Sequence, residues 1–314
     1  MTLPPDWLSH LLDLVPVRGQ LELRCLYGAP WQVLYEQSPR GEMPYHVILA
    51  GSALLEGAPG GALTLRPGDI LLLLHGSAHR LHDGGGEAPE PARQKPRRAL
   101  ILSENGGVGQ RLDMLCGRFV VSPAHERWMS VYLPSHLVVR TAPEAGSEEG
   151  GSAAQLAGLV ALMRGETAAD NLGGHAMLNA LSTAMFALTL RLASEARQPQ
   201  QGLLALAGHP RLLPALSALF DDPARPWTLP ELARLCNMSR ATLARHFQEA
   251  LGRSANELLT DLRMTLAARL LGDPALSTGA VAEDVGYQSE AAFQRAFKAH
   301  MGVTPAVWRR TRPS

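Results

Sequence analysis

Between residues 20 and about 140, apolar positions come in short runs at 31–35, 45–49, 62–65, 70–74, 100–102 and 119–121. Turn-formers separate them, among them Gly60-Gly61 and Pro67-Gly68-Asp69. Many short strands at close spacing predict a small β-barrel or sandwich. The stretch 83–98 is rich in glycine, proline and charge without periodicity, so a long solvated loop is expected there. A second loop, 141–152, carries Glu144, Glu148 and Glu149 among glycines. From Ala153 the period becomes helical. Leu156, Leu159, Val160 and Met163 share one face, and Met177, Leu181, Met185 and Leu188 share another after Gly173-Gly174. Two antiparallel helices follow, with apolar faces suited to packing on the strands or to forming a homodimer seam.

The polar, proline-bearing stretch 196–202 reads as a linker. It divides the chain into a sensor and dimerisation domain, 1–195, and a helical domain, 203–314. The overall class is therefore α+β: a β-barrel with a helical hairpin, then an all-α domain. The second part contains an internal duplication. Ser239/Ser289, Ala241/Ala291, Leu243/Phe293, Arg245/Arg295, Phe247/Phe297 and Gly252/Gly302 match at one offset. In the first copy Thr228 is placed to cap a short helix bearing Leu229, Leu232, Ala233 and Leu235. Asn237 and Met238 make a turn, and Ser239 caps a second helix with Leu243, Phe247 and Ala250 on its core side. Val281, Ala282, Val285, Gly286 and Ser289 repeat the plan.

Two helices joined by a tight turn of this kind place the second helix in the major groove of DNA, its N-terminal residues at the base edges. The outward positions are Arg240, Ala241, Ala244 and Arg245 in one copy, and Glu290, Ala291, Gln294 and Arg295 in the other. An arginine can bond guanine O6 and N7 together, glutamine suits adenine, and alanine can meet a thymine methyl. A lone exposed arginine more often just solvates a helix. Two at equivalent places in duplicated units favour DNA reading. Residues 254–271 can form one helix between the copies, its span comparable in scale to the ~34 Å DNA turn.

The stretches MSRATLARHFQEALG, RMTLAARLL and VAEDVGYQSEAAFQRAFKAHMGVTPAVWR resemble the AraC/XylS transcription regulators over about a third of the chain. The resemblance implies a bipartite site read by two motifs per subunit, with RNA polymerase as a partner. Alanine at 241 and 244 departs from relatives with larger residues there, which leaves more of the readout to Arg245, Gln294 and Arg295.

Bulk charge adds little. The 314 residues hold 29 basic and 29 acidic side chains, so attraction to DNA must come from distribution. Residues 203–314 carry 13 Lys/Arg against 10 Asp/Glu, a surplus of three. Residues 1–18 contain Asp6 and Asp13 and no cleavable apolar core, so no signal peptide is expected. Runs such as 70–74 fall far short of a bilayer span. Three cysteines, Cys25, Cys116 and Cys236, make no disulfide framework, and a reducing cytoplasm is the expected compartment.

In the front half, His46 before VILAGSALLEG, then PGDILLLLHGSAH ending in His79, looks like the paired motifs of a cupin barrel. The first motif has one histidine rather than a spaced pair, and no glutamate follows where one is expected. That argues against a catalytic metal and a cupin metalloenzyme. His46 and His79, with His75 and His82 nearby and Cys116 as a soft ligand, remain candidates for zinc. Hydrogen-bonded or exposed histidines are the alternative. CLYGAPW at Cys25, LTLRPGDILLL with SAHRLH, and LCGRF at Cys116 are similar to a reactive-chlorine-sensing activator of the same family, in which oxidisable cysteines do the sensing. Asp113 stands where that relative has its second cysteine, so the resemblance leaves Cys116 as the partner for Cys25. Cys236 falls on the apolar side of the first reading unit and is expected to be core. No catalytic triad, phosphate loop or metalloprotease motif occurs. The reading is a non-enzymatic DNA-binding regulator, an activator, responding to an oxidant, an electrophile or a small molecule.

Overall fold

The computed structural model describes residues 6–57, 61–122, 125–141, 151–196 and 201–311. Most of the stretch 141–152, and residues 197–200 of the expected linker, lie outside them. The chain forms two compact units, Pro16–Gln200 and Met1–Val15 with Gln201–Ser314.

Among the described residues the first unit is built on two sheets. One has seven strands: β1 (Arg18–Gly28), β3 (Glu42–Ala50), β6 (Asp69–Leu72), β8 (Arg93–Pro96), β9 (Ile101–Glu104), β10 (Arg111–Val120) and β11 (Leu137–Arg140), in the order β11-β6-β3-β10-β1-β9-β8. The other has β2 (Gln32–Tyr35), β4 (Ala53–Glu56), β5 (Leu63–Leu65) and β7 (His79–His82), in the order β2-β7-β4-β5. Among the described residues no ladder joins the two, so the expected barrel is an open pair of sheets. Their shared core includes Tyr27, Trp31, Ile48, Leu55, Leu71, Leu81 and Met114.

Strand β8 corrects the expected loop at 83–98. All four of its residues are exposed and it pairs only with β9, so it lies at the sheet edge. An edge strand with no buried face carries no apolar alternation to detect. A short helix, α2 (Glu126–Tyr132), buries Trp128, Met129 and Tyr132.

The helical hairpin is present as α3 (Ser152–Ala169) and α4 (Gly174–Glu195). Leu156, Val160 and Met163 of α3 are buried as expected. The buried stripe of α4 is rotated from the expected one. It consists of Leu178, Ser182, Met185, Phe186, Thr189 and Leu190, while Met177 is 44% exposed. Polar members of the stripe explain the shift, because each has a partner: Ser182 Oγ meets Tyr45 Oη at 2.7 Å, and Thr189 donates to the Met185 carbonyl. Helix α4 is also long and apolar enough to cross a membrane. Here its stripe packs against the unit's own sheet. Gly19 permits this approach, since a Cβ there would stand 2.5 Å from the Ser182 backbone.

The second unit is helical. From the chain start, α1 (Trp7–Leu14) packs on α6 (Leu213–Asp221), with Trp7 edge-on to Phe220 and His10 Nδ1 donating to the Phe220 carbonyl at 3.1 Å. Helix α5 (Leu203–Ala207) precedes α6. The duplicated elements are α7 (Leu229–Leu235) with α8 (Arg240–Leu251), and α10 (Thr278–Asp284) with α11 (Glu290–Met301). Between them runs α9 (Ala255–Leu270), and α12 (Pro305–Thr311) follows.

Candidate nucleic-acid interface and thiol site

Local chemistry sets each reading unit. Thr228 and Glu231 form a reciprocal capping box at the start of α7. Ser239 caps α8 by accepting from the Thr242 amide. The turn is closed by the Met238 amide donating to the Ala233 carbonyl at 2.9 Å, with Asn237 at φ 50°. The second unit repeats this with Ser277 capping α10, Ser289 capping α11, and the Tyr287 amide donating to the Ala282 carbonyl at 2.9 Å. Gly286, at φ 82°, stands where Asn237 stands in the first. Gln288 is the one extra residue in the second turn.

The two second helices have the same exposure residue by residue from 240 to 250 and from 290 to 300. Leu243 and Phe247 are buried in α8, as are Phe293 and Phe297 in α11. Arg240, Ala241, Ala244 and Arg245 are exposed on one, and Glu290, Ala291, Gln294 and Arg295 on the other. Arg245 lies 3.7 Å from Glu249, and Gln294 Nε2 donates to Glu290 Oε1 at 2.8 Å. Both partners lie along the same exposed helix surface, where such pairs contribute little and give way to a better acceptor. Cys236 is buried in the first unit, and burial pushes its thiol up.

The other candidates gather between the two sheets. Cys25 faces Met114 across β1 and β10, which puts Cys116, two residues on, diagonally opposite on the same face. Their sulfurs are 3.9 Å apart and both side chains are buried. His46 is directly opposite Cys116 across β3 and β10. From the other sheet come His79 and Tyr35, paired across β7 and β2 with rings stacked 4.6 Å apart.

Hydrogen bonds assign the protons in this cluster. His79 Nδ1 is 2.9 Å from the Ser77 carbonyl, which can only accept, so Nδ1 carries the proton and Nε2 does not. His46 Nε2, 2.9 Å from His79 Nε2, must then donate to it. That leaves His46 Nδ1 as acceptor for the Cys116 thiol at 3.2 Å. Burial pushes both imidazoles below their ordinary range, which keeps them neutral at pH 7. Contact with the Cys116 sulfur lowers the Cys25 thiol pKa, while burial raises that of Cys116 well above the usual range. Among the described residues the buried Tyr35 hydroxyl has no hydrogen-bond partner.

This arrangement does not fit a metal. His46 uses opposite ring nitrogens for Cys116 and His79, so the three expected ligands form a row rather than surrounding a point. Among the described residues no three His, Cys, Asp or Glu side chains are placed to hold an ion. His75 bonds the Leu133 carbonyl and His82 lies 3.4 Å from Glu56, apart from the row. Tyr35 and Ser77 escaped the sequence reading. Only the alternation of 31–35 hinted that Tyr35 points inward.

Residues 6–195 match a family of cupin domains, and residues 232–311 match a helix-turn-helix domain family. An uncharacterized HTH-type transcriptional regulator of Haemophilus influenzae is 29% identical over 98% of this chain and 99% of its own. The RCS-specific HTH-type transcriptional activator RclR of Escherichia coli is 28% identical over 97% of each chain. The HTH-type transcriptional regulator AlkR of Acinetobacter baylyi is 30% identical over 84% of this chain and 86% of its own. With a cupin front, two helix-turn-helix units behind it and such relatives along its whole length, the chain belongs to the AraC-type DNA-binding transcription regulators that carry an N-terminal cupin domain.

Proposed function

We propose that this regulator is a transcription activator switched by a two-electron oxidant of the hypochlorous acid class, which joins Cys25 to Cys116. The observation that carries the reading is the 3.9 Å approach of the two sulfurs, with His46 already accepting from one of them. A disulfide needs about 2 Å between sulfurs, so the gap closes by side-chain movement of about that size. Cys25, the more acidic thiol, attacks the chlorine of hypochlorous acid, releasing hydroxide and leaving a sulfenyl chloride. The Cys116 sulfur then attacks the Cys25 sulfur and chloride departs. The Cys116 proton passes to His46 Nδ1, and the His46 Nε2 proton moves on to His79 Nε2. In net terms two thiols and hypochlorous acid give a disulfide, water and hydrogen chloride. The relative RclR is an RCS-specific transcriptional activator, which supports this choice of oxidant and of activation.

Strand β1 offers a route outward. The Gly19 amide donates to Thr183 Oγ1 at 2.8 Å and the Leu21 amide to Asn179 Oδ1 at 3.1 Å, both on α4. Arg24, next to Cys25, holds Asp113 through two nitrogens and Thr167 of α3 through a third. Drawing β1 toward β10 therefore strains the hairpin, which in this reading carries the change to a partner subunit and to the DNA-reading domain. RNA polymerase recruitment in the cytoplasm completes the proposal, with Arg240, Ala241, Arg245, Glu290, Gln294 and Arg295 facing the bases.

Whole-protein mass spectrometry with one equivalent of hypochlorous acid tests the switch. The expected result is loss of two hydrogens in the wild type and none in Cys25→Ser. An unchanged wild-type mass, or the same loss in Cys25→Ser, contradicts it.

A further inference from the structure

Residues 222–227 lead from α6 into the first reading unit, and three successive carbonyls in this loop are taken by one side chain. Arg263, on α9, donates from Nε to the Pro223 carbonyl at 2.7 Å, and from Nη2 to those of Ala224 at 3.1 Å and Arg225 at 2.9 Å. The loop is also braced from within. Trp227 Nε1 donates to the Asp222 carbonyl at 2.9 Å, the Arg225 amide to Asp222 Oδ1 at 3.2 Å, and the Arg225 guanidinium lies 4.0 Å over the Trp227 ring. Against the same loop stands the turn of the second reading unit. A Cβ on Gly286 would fall 2.0 Å from the Ala224 carbonyl oxygen, and the Tyr287 ring centre is 5.9 Å from the Arg263 guanidinium.

The Ala224 carbonyl is thus held by α9 and touched by the second turn, while its own loop opens the first unit. Neither recognition helix needs Arg263 for its own core, which is Leu243 and Phe247 in one and Phe293 and Phe297 in the other. Only a flat guanidinium offers several donors in a fixed fork. A lysine ammonium is a point charge on a flexible stem. We propose that Arg263, clamped on residues 223–225 against Gly286, is a positioning residue that sets the separation and angle of the two DNA-reading helices. It thereby determines which spacing between two half-sites the protein accepts. This inference rests on the reading that α8 and α11 both enter the major groove. Because successive major-groove faces repeat every ~34 Å, a small rotation between the units changes the spacing that fits.

Selection from a random-sequence duplex library with the reduced, full-length protein tests this. The wild type is expected to enrich two submotifs at one fixed separation. Arg263→Met should keep both submotifs with unchanged base preference but spread their separation over several base pairs. Its affinity for a wild-type-selected duplex should fall by about tenfold, the scale of coupling between neighbouring elements. Arg263→Lys should behave likewise, since it keeps the charge and loses the fork, and this separates positioning from a phosphate contact. Gly286→Ala pushes on the clamp from the other side and should shift the preferred separation. A single wild-type separation retained by Arg263→Met, Arg263→Lys and Gly286→Ala, each folded by circular dichroism, would overturn the proposal. A wild-type selection that enriches only one submotif would instead overturn the two-helix reading beneath it.

Discussion

Arg245→Ala and Arg295→Ala are each expected to weaken binding to a selected duplex by about 1–3 kcal/mol and to erase the preference for one base pair. The magnitude is that of a guanidinium bonding guanine O6 and N7 together. Both arginines sit at the same place on equivalent helices, exposed on the side away from the buried Leu243 and Phe293 faces. To reach a base Arg245 would give up only a 3.7 Å surface contact with Glu249. Loss of a phosphate contact would differ, lowering affinity for every sequence alike and flattening the salt dependence. The two substitutions together remove about 2–6 kcal/mol if the half-sites are read independently. Equilibrium binding to the selected duplex and to single-base variants, at fixed salt, checks both the size and the position of the effect. Unchanged sequence preference in both variants would remove Arg245 and Arg295 from the readout.

His46→Gln is expected to slow closure of the proposed Cys25–Cys116 bond by about 100- to 10,000-fold, the usual worth of a positioned general base. Burial raises the Cys116 thiol well above the ordinary range, so it needs a neighbour to take its proton as it attacks. His46 Nδ1, at 3.2 Å, has its lone pair directed there because His79 and the Ser77 carbonyl fix its tautomer. Glutamine fills similar space but is a poor base. Oxidised Cys25 should therefore accumulate in the variant, where dimedone captures its hydrolysed sulfenic acid form. Raising the pH should restore the rate, because solvent hydroxide then removes the Cys116 proton. A merely distorted pocket would not recover with pH. Quenched-flow oxidation followed by mass spectrometry measures both, and a wild-type closure rate in His46→Gln would show that the imidazole is not the base.

Some of this was legible in the sequence because local rules were strong. Ser239 and Ser289 cap their helices, Gly252 and Gly302 end them in the left-handed region, and Leu243, Phe247, Phe293 and Phe297 fill the cores at helical spacing. Each depends on residues within a few positions along the chain. What was missed depends on distance or on pairing. Nothing near β8 marks it as a strand, because its exposed residues are placed only by the edge of β9. The stripe of α4 includes Ser182, whose burial makes sense only once Tyr45 is in view. The separation of Cys25 and Cys116 depends on a register shift between Leu21 and Leu23 that moves everything downstream on β1 by one place against β10. Arg263 is an unremarkable helix residue until the loop at 223–225 is seen against it.

If DNA binding answers to the Cys25–Cys116 pair, one quantity must change with oxidation. It is the affinity of the full-length protein for its selected duplex, reduced and after one equivalent of hypochlorous acid, in the wild type, Cys25→Ser and Cys116→Ser. A shift of about 5- to 150-fold is expected in the wild type, the usual range of coupling between sites, and none in either serine variant. Equal affinity for the reduced and disulfide-bonded wild type would contradict it.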